Sequence, residues 1–208
     1  MNNQSRYNRR TFLATTVTGV GAAALFGGLR QVHVEAGFAN PAASKFQTLI
    51  AGQYANDLKL IEQIGGRYFG PNFTLSDTPS SWTLQLGRYP GRYNGCSVDL
   101  HGYWIFLPGA RKCWQAVERG GGELRYWNQD GQARGNPEDW ELFTFEAVDP
   151  SAQTVKIANA SYVPFRTCIT GHVPNPRDNR NYINLVGNRF SCNDNAEHAA
   201  VFRVEFPA

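Results

Sequence analysis

Asp130, Glu138, Asp139 and Glu141 lie close together in the chain, and they are its densest group of side chains able to do chemistry. Two carboxylates held roughly 5–10 Å apart across a bound sugar would serve glycoside hydrolysis. Acids around turns, however, commonly bond backbone amides instead. Glu138 and Glu197 stand at matching places beside Asn136 and Asn195, which favours that structural task.

Cys96, Cys113, Cys168 and Cys192 are the only cysteines. An even number allows up to two disulfides in one of three pairings, with small buried hydrophobes as the alternative reading. No two cysteines are close in sequence, and His101, His172 and His198 are scattered singly, so no metal site is expected. The chain shows no phosphate-binding glycine loop, no Gly-x-Ser-x-Gly elbow and no His-Glu-x-x-His, and no cofactor or catalytic residue is expected.

Binding chemistry has better support than catalysis. In Trp127-Asn128-Gln129-Asp130-Gly131 a large ring meets a polar, turn-forming cluster, the combination that a shallow sugar site uses for stacking and hydroxyl bonding. Phe190, Asn193 and Asp194 stand in a second polar stretch, read as its counterpart. The ligand-binding candidates are therefore Trp127, Asn128, Asp130, Phe190, Asn193 and Asp194, with ordinary hairpin ends as the alternative. Gly-Arg-Tyr occurs at Gly66–Tyr68, Gly87–Tyr89 and Gly91–Tyr93, and arginine beside aromatics suits an acidic polysaccharide.

These residues need elements to position them. Between Ser44 and Ile64 the apolar residues Phe46, Leu49, Ile50, Tyr54, Leu58 and Ile61 recur at helical steps, and Gly65-Gly66 follows. One amphipathic helix is expected there. Beyond Gly66, short aromatic and β-branched runs alternate with Gly, Pro, Asn and Asp clusters, an all-β signature. In Glu141–Val148 and Val201–Phe206, Phe143, Phe145 and Ala147, then Phe202, Val204 and Phe206, should face the core.

Sliding the chain against itself by 59 residues aligns two copies without a gap. Val98, Tyr103, Trp104 and Phe106 fall on Ile157, Tyr162, Val163 and Phe165, while Leu142, Phe143 and Phe145 fall on Val201, Phe202 and Val204. Upstream, Gly65–Tyr68 and Trp82–Leu86 resemble the second half of a third copy, with the helix in place of its first half.

Asn8-Arg9-Arg10-Thr11-Phe12-Leu13-Ala14 precedes an uncharged, Gly- and Ala-rich apolar run that ends at Arg30. Arg9, Arg10, Phe12 and Leu13 resemble a twin-arginine (Tat) export signal, which implies the Tat translocase as a partner, a bacterial periplasmic or secreted destination, and only transient membrane contact. Cleavage near Ala36 is expected. Removing Arg6, Arg9, Arg10 and Arg30 with Glu35 leaves 16 basic and 16 acidic residues. That balance excludes a nucleic-acid partner driven by charge.

The stretch Glu138–Ile157, an acidic residue followed by Phe143-x-Phe145-Glu146, a turn and a new strand, resembles the repeat junction of fascin-like β-trefoil domains. His101-Gly102-Tyr103-Trp104 and Ala160-Ser161-Tyr162-Val163 occupy the place of that family's strand-opening Gly-x-Tyr segment. The expected organisation is a signal peptide over residues 1–36, a linker and helix over 37–65 and, as the trefoil resemblance implies, an all-β, β-trefoil-like domain over 66–208. An antiparallel β-sandwich is the alternative. The expected function is an exported, non-enzymatic binding protein for carbohydrate or another extracellular ligand. The alternatives are a secreted hydrolase of unrecognised class and a structural or interaction protein of the envelope.

Overall fold

A computed structural model describes residues 41–117, 122–127, 137–175, 177 and 179–208. The expected export signal at Arg9, Arg10, Phe12 and Leu13 lies outside them.

The expected helix over Ser44–Ile64 is two elements. Helix α1 spans Pro41–Ile50 and breaks at Ala51-Gly52, and strand β1 follows at Asp57–Glu62. Leu58 and Ile61 are therefore strand residues. Their helical spacing is overridden because Leu58-Lys59-Leu60 also alternates with period two, and both edges of β1 find antiparallel partners. The β region thus begins ahead of Gly66. Gly65 sits in the turn after β1, where the Glu62 carboxylate accepts the amides of Ile64 at 2.9 Å and Gly65 at 2.6 Å.

The remaining strands are β2 (Tyr68–Phe69), β3 (Leu75–Ser76), β4 (Ser81–Tyr93), β5 (Cys96–Phe106), β6 (Cys113–Ala116), β7 (Gly122–Trp127), β8 (Leu142–Asp149), β9 (Thr154–Asn159), β10 (Tyr182–Val186), β11 (Arg189–Asp194) and β12 (Phe202–Glu205). A second helix, α2, spans Tyr162–Thr170. The fold is all-β with these two helices, and every strand pairing is antiparallel.

Six strands close a ring. β1 pairs with β4, β4 with β5, β5 with β8, β8 with β9, β9 with β12, and β12 with β1. The other six form the hairpins β2–β3, β6–β7 and β10–β11. Leu60, Leu84, Ile105, Phe143, Phe145, Val155, Ile157, Phe202 and Val204 fill the interior. The three hairpins meet through inward aromatics: Phe69 of β2 stacks on Trp114 of β6 at 4.5 Å and on Phe190 of β11 at 4.3 Å. At the other end α1 buries Phe46 and Leu49, and the Tyr103 hydroxyl donates to the Leu49 carbonyl at 2.9 Å while accepting the Tyr54 amide at 3.0 Å.

The 59-residue offset carries β5 onto β9 and β8 onto β12, so Phe143 and Phe145 match Phe202 and Val204. It is not gapless. It would place β6 at 172–175 and β7 at 181–186, whereas β10 begins at Tyr182 and β11 at Arg189. The insertion is α2, so Tyr162, Val163 and Phe165, aligned with strand residues of β5, are helical. The upstream copy is complete, because β1 is its first strand. Ala147, expected inside, is exposed at the outer end of β8, and Phe206 is only partly buried.

The β4–β5 hairpin is the longest and reaches past the ring. Asn94 and Gly95, at φ 44° and 88°, form the tight turn that pairs Tyr93 with Cys96. Near the ring its inward face carries Trp82, Leu84 and Ile105. Toward the tip the opposite face becomes apolar, and Tyr93 and Leu100 build a second cluster with Leu142 and with Phe165 and Cys168 of α2.

Candidate functional site

Within the β4–β5 ladder Thr83 lies opposite Phe106 and Gln85 opposite Trp104. Successive strand residues alternate between faces, and since Trp82, Leu84 and Ile105 take the inward face, these four share the outward one. Phe106 continues across the sheet to Cys113 and then Trp127. Thr83, Phe106, Cys113 and Trp127 thus form one outward row over four strands. Cys113 is fully buried in it, whereas Phe106 and Trp127 are partly exposed, about 10 Å apart at the usual strand spacing.

Beside the row, the Leu107–Lys112 turn is closed by the Leu107 amide donating to the Lys112 carbonyl at 2.9 Å and the Ala110 amide to the Leu107 carbonyl at 3.1 Å. The turn walls an open depression of about 370 Å³ lined by Thr83, Gln85, Phe106, Leu107, Gly109, Ala110 and Arg111. The Thr83 hydroxyl donates to Asp57 at 2.6 Å. A partly exposed aromatic, an amide and a guanidinium meet over one shallow surface, a set able to stack on a sugar ring and bond its hydroxyl or carboxylate groups. Neither the spacing nor the composition of residues 83–111 singled this surface out. The available signal was the alternation in Trp82–Leu86 and Trp104–Phe106, which leaves Trp104 and Phe106 outward once Ile105 is placed inside.

A second cavity, of about 430 Å³, lies between the end of α1 and the strands β5 and β8, with His101, Tyr103, Thr144 and Phe145 in its wall. Its polar groups serve the fold. The Tyr103 hydroxyl holds α1, the Thr144 hydroxyl donates to the Ala158 carbonyl at 3.4 Å, and His101 lies 3.4 Å from Asp99.

Of the acidic group, Asp139 and Glu141 are sealed, whereas Glu138 is exposed. The Tyr93 hydroxyl donates to Asp139 at 2.5 Å, and Asp139 is 1% exposed. Glu141, 2% exposed, accepts from the Gln115 amide and, at 2.8 Å, from the Glu138 amide. Arg125 in turn donates to Gln115 at 2.5 Å. Burial pushes the Glu141 carboxyl above its ordinary value, and the neighbouring Asp139 adds to that. The Asp139 and Glu141 carboxylates, buried and bonded to strand and turn groups, offer no open face to a sugar ring. Asp130 and Asn136 lie outside the described residues.

Of the expected ligand-binding residues, Trp127 ends β7 on the outward row, while Asn128 and Asp130 lie outside the described residues. Phe190 is a correction: its ring is fully buried against Phe69, so it offers no face to a ligand. Asn193 is exposed and accepts from Ser191 at 3.0 Å. Asp194 is tied into its turn, accepting from Asn184 at 3.1 Å and from the Asn195 amide at 2.8 Å, with His198 at 3.1 Å. Nor are the two stretches equivalent. Of the first stretch only Trp127, the last residue of the second hairpin, is described, whereas 188–195 are the turn and second strand of the third.

The turn amides near Glu197 are bonded by Asn195, which accepts from Glu197 at 2.8 Å and His198 at 3.3 Å. Among the four cysteines, Cys113 and Cys192 are buried, Cys168 is partly buried and Cys96 is exposed. Among the described residues no cluster of three or more metal-ligating side chains occurs, and no helix is long and apolar enough to cross a membrane. No family model, curated protein or solved structure matches the chain.

Proposed function

We propose that the chain is an exported, non-enzymatic binding protein with a fascin-like β-trefoil fold that engages carbohydrate through the outward surface at Phe106. The trefoil reading is supported by the closed ring of six strands, by the three hairpins whose aromatics meet at Phe69, and by the recurrence of β5 and β8 in β9 and β12. Two packed sheets would have left open edges where β1 and β12 join. Export rests on the Arg9-Arg10-x-Phe12-Leu13 pattern and the uncharged, Gly- and Ala-rich run that follows it up to Arg30.

The observation that carries the ligand reading is the open depression in which Gln85, Phe106 and Arg111 converge. Stacking on an exposed ring while polar groups bond at its margin suits a polyhydroxylated ligand, and Arg111 favours one bearing carboxylates. Trp127, further along the row, would extend the contact to a second sugar. The test is a glycan array together with a cell-wall pull-down, using the chain freed of residues 1–36. Retention on acidic polysaccharide is expected, and a blank in both assays would overturn the reading. For export, replacing Arg9 and Arg10 by lysines should retain the precursor inside the cell.

A further inference from the structure

Cys96 opens β5 at the very tip of the long hairpin, and Cys168 lies on α2, one turn beyond Phe165. The Cys96 thiol donates to the Cys168 carbonyl oxygen at 3.9 Å, and Cys168 packs on the second cluster beneath the hairpin tip. The adjoining Cys96 thiol, ahead of burial, pushes the Cys168 thiol up to about 11. The other cysteines are placed very differently. Cys113 pairs with Trp127 and Cys192 with Gly122, at opposite ends of β7. They are about 16 Å apart along the strand, whereas a disulfide needs Cα atoms within about 7 Å. Both are fully buried, and the Cys192 sulfur donates to the Asn181 carbonyl at 2.9 Å.

We infer that Cys96 and Cys168 form a disulfide that staples α2 to the tip of the β4–β5 hairpin, while Cys113 and Cys192 remain thiols. The staple is needed because α2 has no fully buried residue of its own. Phe165 meets Tyr93 edge to face, with ring centres 5.4 Å apart, and packs with Cys168 on the second cluster. Beneath it lie Tyr93, Leu100 and Leu142. In the reaction, the exposed Cys96 attacks as thiolate on the disulfide of an oxidant such as oxidised glutathione or a thiol–disulfide oxidoreductase. One oxidant thiol leaves and a mixed disulfide forms. The Cys168 thiolate then displaces the second oxidant thiol. Two protons leave the cysteines, and two electrons reduce the oxidant's disulfide to two thiols. Oxidised glutathione suffices in vitro, so the staple stands or falls separately from export and ligand binding.

The test is to equilibrate the folded chain with oxidised glutathione, alkylate it before and after denaturation, and map peptides without reduction. A Cys96–Cys168 cross-linked peptide is expected, with Cys113 and Cys192 alkylated only after denaturation. Alkylation of Cys96 and Cys168 in the folded, oxidised protein, or a cross-link involving Cys113 or Cys192, would overturn the inference. The bond would close a loop spanning 72 positions. Cys96→Ser and Cys168→Ser should each therefore lower Tm by on the order of 10 °C under oxidising conditions and match the parent chain under reducing ones. A Tm loss that persists under reduction would instead assign the residues a packing role and defeat the staple.

Discussion

Gly87 and Gly102 face each other across the β4–β5 ladder at the point where β8 runs over the hairpin. A Cβ on Gly102 would stand 2.5 Å from the Phe143 carbonyl oxygen, and one on Gly87 would stand 2.5 Å from Cδ1 of Leu142. The bare pair lets Leu142 settle on the outer face, and there the hairpin's apolar side changes from the ring interior to the second cluster. Gly102→Ala meets backbone that is itself paired with Tyr103, so it should cost about 1–3 kcal/mol. Gly87→Ala meets the Leu142 methyl and, at 3.0 Å, the Trp104 ring, side chains rather than backbone, and should cost less. Urea midpoints test the ordering, and equal losses would contradict it.

The Tyr103 hydroxyl joins α1 to the ring by donating to Leu49 and accepting from Tyr54. Tyr103→Phe leaves both backbone groups without that partner, for an expected loss of about 1–3 kcal/mol. Burial, the largest cause, also pushes Tyr103 up to about 12 from an ordinary value of 10.0. Because the folded value is raised, this contribution is complete below pH 10 and is lost as pH rises toward 12. Burial raises Tyr126 and Tyr182 as well, so part of the alkaline decline should remain in the variant. Chemical denaturation from pH 8 to 12 should show a shallower slope for Tyr103→Phe than for the parent.

Glu141 gives the acid-side counterpart. Its carboxyl is raised above 4.5, chiefly by burial, so its contribution to stability is complete below that pH and declines as pH rises through the folded value. Glu141→Gln has no such proton to lose. Its stability should lack this decline, as read from urea midpoints between pH 4 and 8. Gln115→Ala acts differently, taking one donor from Glu141 and the acceptor of Arg125. A loss of about 1–3 kcal/mol is expected.

The strands that could be read from sequence are those with one face in the core and clean alternation. Phe143-Thr144-Phe145 and Phe202-Arg203-Val204 are buried as their pattern requires. β1 was hidden because Leu58 and Ile61 fit a helical period running on from α1, and only pairing with β4 and β12 decides between the two. The repeat was legible at β5, β8, β9 and β12, but the inserted α2 is compensated elsewhere in the chain, which made a broken alignment look continuous. In the candidate site, Trp127 was found because its ring adjoins polar turn residues. Phe190 has the same local signature yet stacks on Phe69, and no local pattern reveals a contact made between hairpins. Phe106, Gln85 and Arg111 come from three separate elements, so their meeting is a consequence of register rather than spacing.

That contrast between Phe106 and Phe190 yields the sharpest test of the proposed ligand surface. Phe106 is partly exposed and lines the depression beside Gln85 and Arg111, while Phe190 is sealed between hairpins. Phe106→Ala should keep the fold and weaken retention of an acidic glycan by about ten-fold or more, or about 1.4 kcal/mol at ten-fold. Arg111→Ala should weaken acidic glycans more than neutral ones and flatten the salt dependence of binding, since the lost contact is a screened charge. Phe190→Ala should instead destabilise the chain by about 3–5 kcal/mol while the fraction that stays folded binds as before. Isothermal titration paired with urea unfolding separates the three variants. If Phe106→Ala bound like the parent chain while Phe190→Ala lost binding per folded molecule, the ligand would have to sit at the hairpin end rather than on the outer face of β4 and β5.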